Sequence, residues 1–152
     1  MNLPIWLIKL LFNLWPPFLG AGIRVRKLSA DFREAEVRLK LGFGNRNYVG
    51  THFGGSLYAM TDPFYMLMVL RQLGSDHYVW DQAGRIEYLK PGRGTVRAHF
   101  HLTDEMLDDI RARTAGGEKY LPEMTVDIVD DAGERVAVVY KTLYVRRKPD
   151  KR

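Results

Sequence analysis

One carboxylate, Asp62, closes the stretch of this chain best equipped for chemistry. Gly54 and Gly55 precede it, and Asn47 and His52 stand in the polar, glycine-rich approach. A carboxylate can serve as a general base or as a nucleophile. Amide N–H groups at glycines that open a helix can meet a developing negative charge, because no Cβ blocks close approach. Thr61 adds a hydroxyl beside Asp62, and Leu57, Tyr58, Phe64 and Tyr65 can wall an apolar slot. Lys90 and Arg93, farther along, would suit a substrate that carries phosphates. Each residue also has a plainer reading. Asn47 is a turn residue, His52 a satisfied loop histidine, and the glycines a tight turn. The aromatic residues are core, and Lys90 and Arg93 are solvated turn charges.

These residues need an element to hold them, and two arrangements are open. Asp62 precedes Pro63, and an aspartate N-cap followed by proline is a common helix start. In the other arrangement the helix begins near Gly55 and runs to Leu73. Pro63 then forfeits its bond to Ala59 and kinks the helix, at about 3 kcal/mol. Gly74 ends the helix either way.

Around this segment the chain reads mostly as strand. Glu34 to Leu41 alternates cleanly, with Ala35, Val37, Leu39 and Leu41 on one side. Ile23 to Ser29 precedes it across a turn. Tyr78 to Leu89 follows the helix, with a bulge expected near Gly84. Residues 90–94 form a turn, and Val96 to Leu102 alternates. Asp104 is the expected cap of a short helix. Met124 to Ile128 and Val136 to Val145 form a hairpin about Asp130–Gly133. Residues 4–15 make an apolar helix ended by Pro16 and Pro17, too short and too interrupted to span a membrane. It is expected to pack on its own domain, with contact to a membrane surface the less favoured use. Three segments result: the N-terminal helix and linker over 1–20, one domain over 21–148, and a basic tail over 149–152.

The chain has no cysteine, which excludes disulfides, thiolate metal sites and cysteine nucleophiles. His99 and His101 share one side of a strand, a weak metal signal, so no metal or other cofactor is expected. The net charge of +5 gathers in part at the C-terminus. No nucleic-acid motif accompanies it, so no nucleic-acid partner is expected.

Asn47, Gly50, Gly54-Gly55 and Asp62, with Tyr88-Leu89-Lys90-Pro91 on a later strand, resemble the motifs of the hotdog-fold superfamily. The likeness covers about residues 22–147. It is strongest toward the phenylacetate-type acyl-CoA thioesterase branch, or an uncharacterised relative within it. The resemblance implies an α+β fold: an antiparallel six-stranded sheet wrapped around one long central helix, here with an extra N-terminal apolar helix. It implies a cytoplasmic acyl-thioester hydrolase, active as a homodimer or a dimer of dimers, with the site formed between chains. Asp62, Asn47, His52 and Gly55 would be catalytic. Phe53, Gly54, Tyr58, Thr61, Tyr65, Lys90 and Arg93 would touch substrate. One position departs from the pattern: Phe53 stands where the motif has histidine, and His52 lies one place earlier. Acyl binding without turnover, or acyl-thioester hydration by a His52–Asp62 pair, are the alternatives.

Overall fold

The computed structural model describes residues 3–149. Three of the four residues expected as a basic tail, 150–152, lie outside the described residues. The chain runs α1 (Ile5–Leu14), α2 (Pro16–Ala21), β1 (Ile23–Leu28), β2 (Glu34–Lys40), α3 (Gly54–Ala59) and α4 (Phe64–Leu73). It continues through β3 (His77–Tyr88), β4 (Thr95–His101), α5 (Asp104–Thr114), β5 (Lys119–Tyr120), β6 (Glu123–Asp130) and β7 (Arg135–Arg147). The strands form one antiparallel sheet in the order β1-β2-β4-β6-β7-β3, and the two-residue β5 adds beside the end of β7.

The sheet's inner face follows the period-2 patterns of the sequence. Val37 and Leu39 of β2, Ala98 and Phe100 of β4, Ile128 of β6 and Val139 and Leu143 of β7 are all fully buried. Against them lies the central helical segment. Phe64, Tyr65, Met68 and Val69 of α4 recur with helical spacing and are buried. Phe64 stacks on Phe100 with ring centroids 4.7 Å apart, and Tyr65 meets the same ring edge-on at 5.2 Å. This is an α+β hotdog fold, with the sheet wrapped around the central helix.

That helix is divided, unlike either arrangement expected from the sequence. α3 ends at Ala59, residues 60–63 form a turn, and α4 begins at Phe64. Pro63 has no N–H to continue the ladder, so the first helix stops before it. Asp62 does not cap the second: the residue flanking α4 is Pro63, and no side chain caps that end. The bulge in β3 falls between Asp81 and Ala83, near Gly84 as expected. Three smaller expectations are corrected. Thr103, rather than Asp104, caps α5, accepting from the Met106 N–H at 3.2 Å. Pro16 and Pro17 end α1 but also open α2, where a missing N–H removes no bond. β5 is a seventh strand.

The N-terminal helix is fastened by Asn13, the polar residue that interrupts its apolar run. Its Oδ1 accepts from Val25 N–H at 2.7 Å and its Nδ2 donates to the Val25 carbonyl at 3.2 Å. Asn13 thus takes the place of a neighbouring strand on the open edge of β1, next to the irregularity between Val25 and Lys27. Phe12 adds a stacking contact with Phe64 at 5.7 Å. Asn13→Ala removes two hydrogen bonds from part-buried backbone groups and should lower unfolding stability by about 1–2 kcal/mol. Limited proteolysis should then cut first within α1, and an unchanged cleavage pattern would contradict this role.

Candidate functional site

The expected site residues fall into two clusters at opposite ends of α3. The first surrounds its N-terminus. There Asn47, His52, Gly54, Tyr88 and Lys90 border a cavity of about 440 Å³. Most of their polar groups are engaged in holding loops together. Asn47 Oδ1 accepts from Val49 and Thr51 N–H, and its Nδ2 donates to Thr51 Oγ1 at 2.9 Å. His52 is buried, and its Nε2 lies 3.0 Å from the Gly94 carbonyl. Nε2 therefore carries the proton and Nδ1 is the free acceptor, without a partner in its buried position. Burial pushes the His52 pKa down, against the opposing Gly94 bond, so the ring is held neutral.

Gly54 and Gly55 lie close against aromatic side chains. A Cβ on Gly54 would come 2.7 Å from the Tyr88 hydroxyl, and one on Gly55 2.5 Å from the Phe53 ring. Phe53 itself is exposed. α3 has only six residues, so the field at its N-terminus is smaller than one unbroken helix would give. Lys90 joins Asp130 at 2.7 Å and also pairs with Glu134, so it braces the β6–β7 hairpin. Arg93 is exposed, without a partner among the described residues. His99 and His101 lie exposed on β4, opposite Glu36 and Glu34 of β2. Among the described residues, no three His, Asp or Glu side chains gather where they could hold a metal ion.

The second cluster lies at the break between α3 and α4, and its centre went unnoticed in the sequence. Lys141 of β7 is 2% exposed. Its Nζ donates to Asp62 Oδ1 at 2.9 Å and lies 3.2 Å from Asp81 Oδ2 on β3. The Tyr58 ring sits 5.2 Å from the same ammonium. Opposite Lys141 in the β3–β7 register is Gly84, where any Cβ would collide with the Tyr58 hydroxyl. Gly84 therefore makes room for Tyr58. Thr61 is buried, and its hydroxyl donates to the Tyr58 carbonyl at 2.8 Å, which ties the helix break. Tyr65 belongs to the core, its hydroxyl donating to the Thr125 carbonyl at 3.1 Å.

The electrostatics of this cluster are set by competition. Burial by itself lowers the Lys141 pKa, but the Asp62 hydrogen bond and the charges of Asp81 and Asp62 outweigh it and leave the pKa raised. Burial raises the Asp81 pKa, and the nearby Asp62 charge adds to that, against the pull of Lys141. One oxygen of Asp81, Oδ1, is buried without a partner. The Asp62 side chain is about half exposed at 49%. Its Oδ1 is held, whereas Oδ2 has no hydrogen-bond partner among the described residues. The cluster thus presents a carboxylate fixed from behind, with one open oxygen. One signal for Lys141 existed: it interrupts the inward row Ala137, Val139, Leu143, Val145, where every other residue is apolar.

The architecture is that of a hotdog fold. The chain belongs to the family described as a domain of unknown function, DUF4442, whose model matches residues 5–145. Among solved structures, it is similar to a Pseudomonas aeruginosa protein of unknown function named a probable thioesterase. That pair shares 21% identity over 97% of this chain and 99% of the other, with a TM-score of 0.83. A thioesterase from Haemophilus influenzae is 15% identical over 97% of this chain and 93% of its own, with a TM-score of 0.69. A Chlorobaculum tepidum protein of unknown function is 18% identical over 94% of each chain, with a TM-score of 0.72. At these identities the likeness is one of fold. No curated protein matches the sequence.

Replacing Lys141 by methionine keeps the bulk and leaves two carboxylates facing each other without a cation. Breaking a fully buried pair in this way costs about 3–5 kcal/mol. Here the half-exposed Asp62 reduces that, to about 2–3 kcal/mol. Chemical denaturation of Lys141→Met checks this, and a loss under about 0.5 kcal/mol would show that the cluster carries little of the fold's stability.

Proposed function

We propose that the protein hydrolyses an acyl thioester, of coenzyme A or a related carrier, with Asp62 activating water. The observation that carries this reading is the state of Asp62: one oxygen fixed by Lys141, the other open, at the border of an apolar groove. Water on the open oxygen would pass a proton to the carboxylate as its own oxygen bonds to the acyl carbon. The C–S bond then breaks, and the thiolate leaves and takes up a proton. Lys141 acts by orienting the base, and Asp81 keeps the ammonium from neutralising it alone. The fold shared with proteins named as thioesterases supports the same class.

The reading also calls for a second chain. Donors to the acyl oxygen must lie within hydrogen-bond distance of it. Gly55 and Asp62 lie toward opposite ends of α3, whose six residues span about 9 Å. A carbonyl held at Asp62 is thus out of reach of the glycine amides of its own chain. Donors from a second copy would remove the difficulty. β3 supports such pairing: it is a 12-residue strand at the end of the sheet, bearing exposed Tyr78, Trp80 and Tyr88. A long open edge of this kind can accept another strand, and an isologous dimer closes it.

Acyl binding without turnover is the second reading, and Phe53 in place of the motif histidine favours it. Hydration by a His52–Asp62 pair draws no support, because within one chain the two residues lie in separate clusters at opposite ends of α3. The test is thiol release from a panel of acyl-CoAs. Asp62→Asn should lower kcat/KM by about 100-fold or more, while the protein still unfolds cooperatively because Lys141 keeps its partner Asp81. Full activity in Asp62→Asn would refute the assignment. A bound acyl ligand with no turnover in the unsubstituted protein would favour the second reading.

A further inference from the structure

Every residue of α1 except Lys9 and Asn13 is apolar, yet none of them is buried. Ile8 and Phe12 touch the core, while Leu10, Leu11, Leu14 and Trp15 remain exposed. Between α1 and the start of α4 runs a cavity of about 710 Å³. Leu11 and Trp15 stand on one wall and Pro63, Met66 and Leu67 on the other, and the single polar lining residue is Asp62. The lining reaches from Leu3 to Trp15, along the whole of α1, whose ten residues span about 15 Å. The volume lies in the range of small-molecule sites, which are likewise mostly apolar with few polar groups.

We infer that this groove binds the hydrocarbon tail of a medium- or long-chain acyl group, with its ester-type carbonyl at Asp62. The assignment rests on the reading of Asp62 as the site of hydrolysis, and it adds the substrate class. Two features select the occupant. The walls offer no hydrogen bond along their length, so the part lying there is a plain alkyl chain. The polar end offers a carboxylate, which a neutral thioester carbonyl tolerates and a fatty-acid anion does not. Hydrolysis converts the first into the second. The product would then face Asp62 as a like charge and leave, whereas the substrate would stay.

The test separates binding from turnover. Equilibrium binding of non-hydrolysable S-alkyl coenzyme A thioethers with butyl, octyl and dodecyl chains is followed by tryptophan fluorescence and by calorimetry. Affinity should rise by about twofold or more per added methylene, below the roughly fourfold of complete burial because the groove is open to solvent. Met66→Trp fills the groove at a partly exposed position. It should lower dodecyl affinity at least tenfold and leave butyl affinity within twofold. Leu11→Gln, at an exposed position of α1, should do the same more weakly. Affinity that is flat with chain length, or a Met66→Trp loss equal for all chains, overturns the groove. So does a change in oligomeric mass by light scattering with chain-length dependence unchanged, which would make it a face between copies. Length-dependent binding with no thiol release from any acyl-CoA keeps the groove and removes the hydrolysis reading instead.

Discussion

A buried ammonium group organises the site. Lys141 lies within the inner face of β7, in a row otherwise filled by Ala137, Val139, Leu143 and Val145. Placing a charge there costs several kcal/mol unless it is paired with good geometry. The pairing comes from two other elements, Asp81 on β3 and Asp62 at the helix break. Each partner in turn needs local adjustments. Asp62 reaches the ammonium from the turn before Pro63, where the ladder of α3 has stopped. Tyr58 can cover the ammonium because Gly84 presents no side chain. Proline, glycine, lysine and two aspartates, far apart in the chain, therefore form one interaction.

The same constraint shapes the proposed chemistry. An aspartate fixed through one oxygen offers the other in a defined direction, which is the preorganisation that proton transfer at a bound substrate requires. The apolar groove borders Asp62 because α1 is fastened alongside the sheet by Asn13 and stacked on α4 by Phe12. An N-terminal addition to the fold thus becomes a wall of the cavity that borders Asp62. Among the described residues no helix is long and apolar enough to cross a membrane.

Much of the fold was legible from local physics. Alternation in Glu34–Leu41, Val96–Leu102 and Met124–Ile128 marks half-buried strands, and all three form. The Asp130–Gly133 turn joins β6 and β7 as its residues suggest. The break in the central helix was only half legible. Local rules pointed to Asp62 as an N-cap and the family likeness to a kink, but the chain leaves four residues out of the helix. The importance of Asp62 and Tyr58 as neighbours could be read from sequence distance. Their partners could not, because Asp81 and Lys141 reach them through sheet pairing. Lys90, read from the sequence as a phosphate contact or a solvated turn charge, has ion-pair partners that only the fold reveals, Asp130 and Glu134 beside it. Asn47 and His52 were singled out as polar groups near glycines, and most of their hydrogen bonds hold loops.

The site depends on Lys141 being a charged, doubly paired ammonium inside the sheet. Nuclear magnetic resonance of protein carrying labelled lysine reads this directly, by following the side-chain Cε and Nζ signals of one residue through an alkaline titration. The two carboxylates should hold the Lys141 proton beyond the ordinary lysine range, so its signals titrate later than those of a surface lysine without a carboxylate partner. A Lys141 that loses its proton before the surface lysines would mean that burial prevails over pairing, and would contradict the arrangement described.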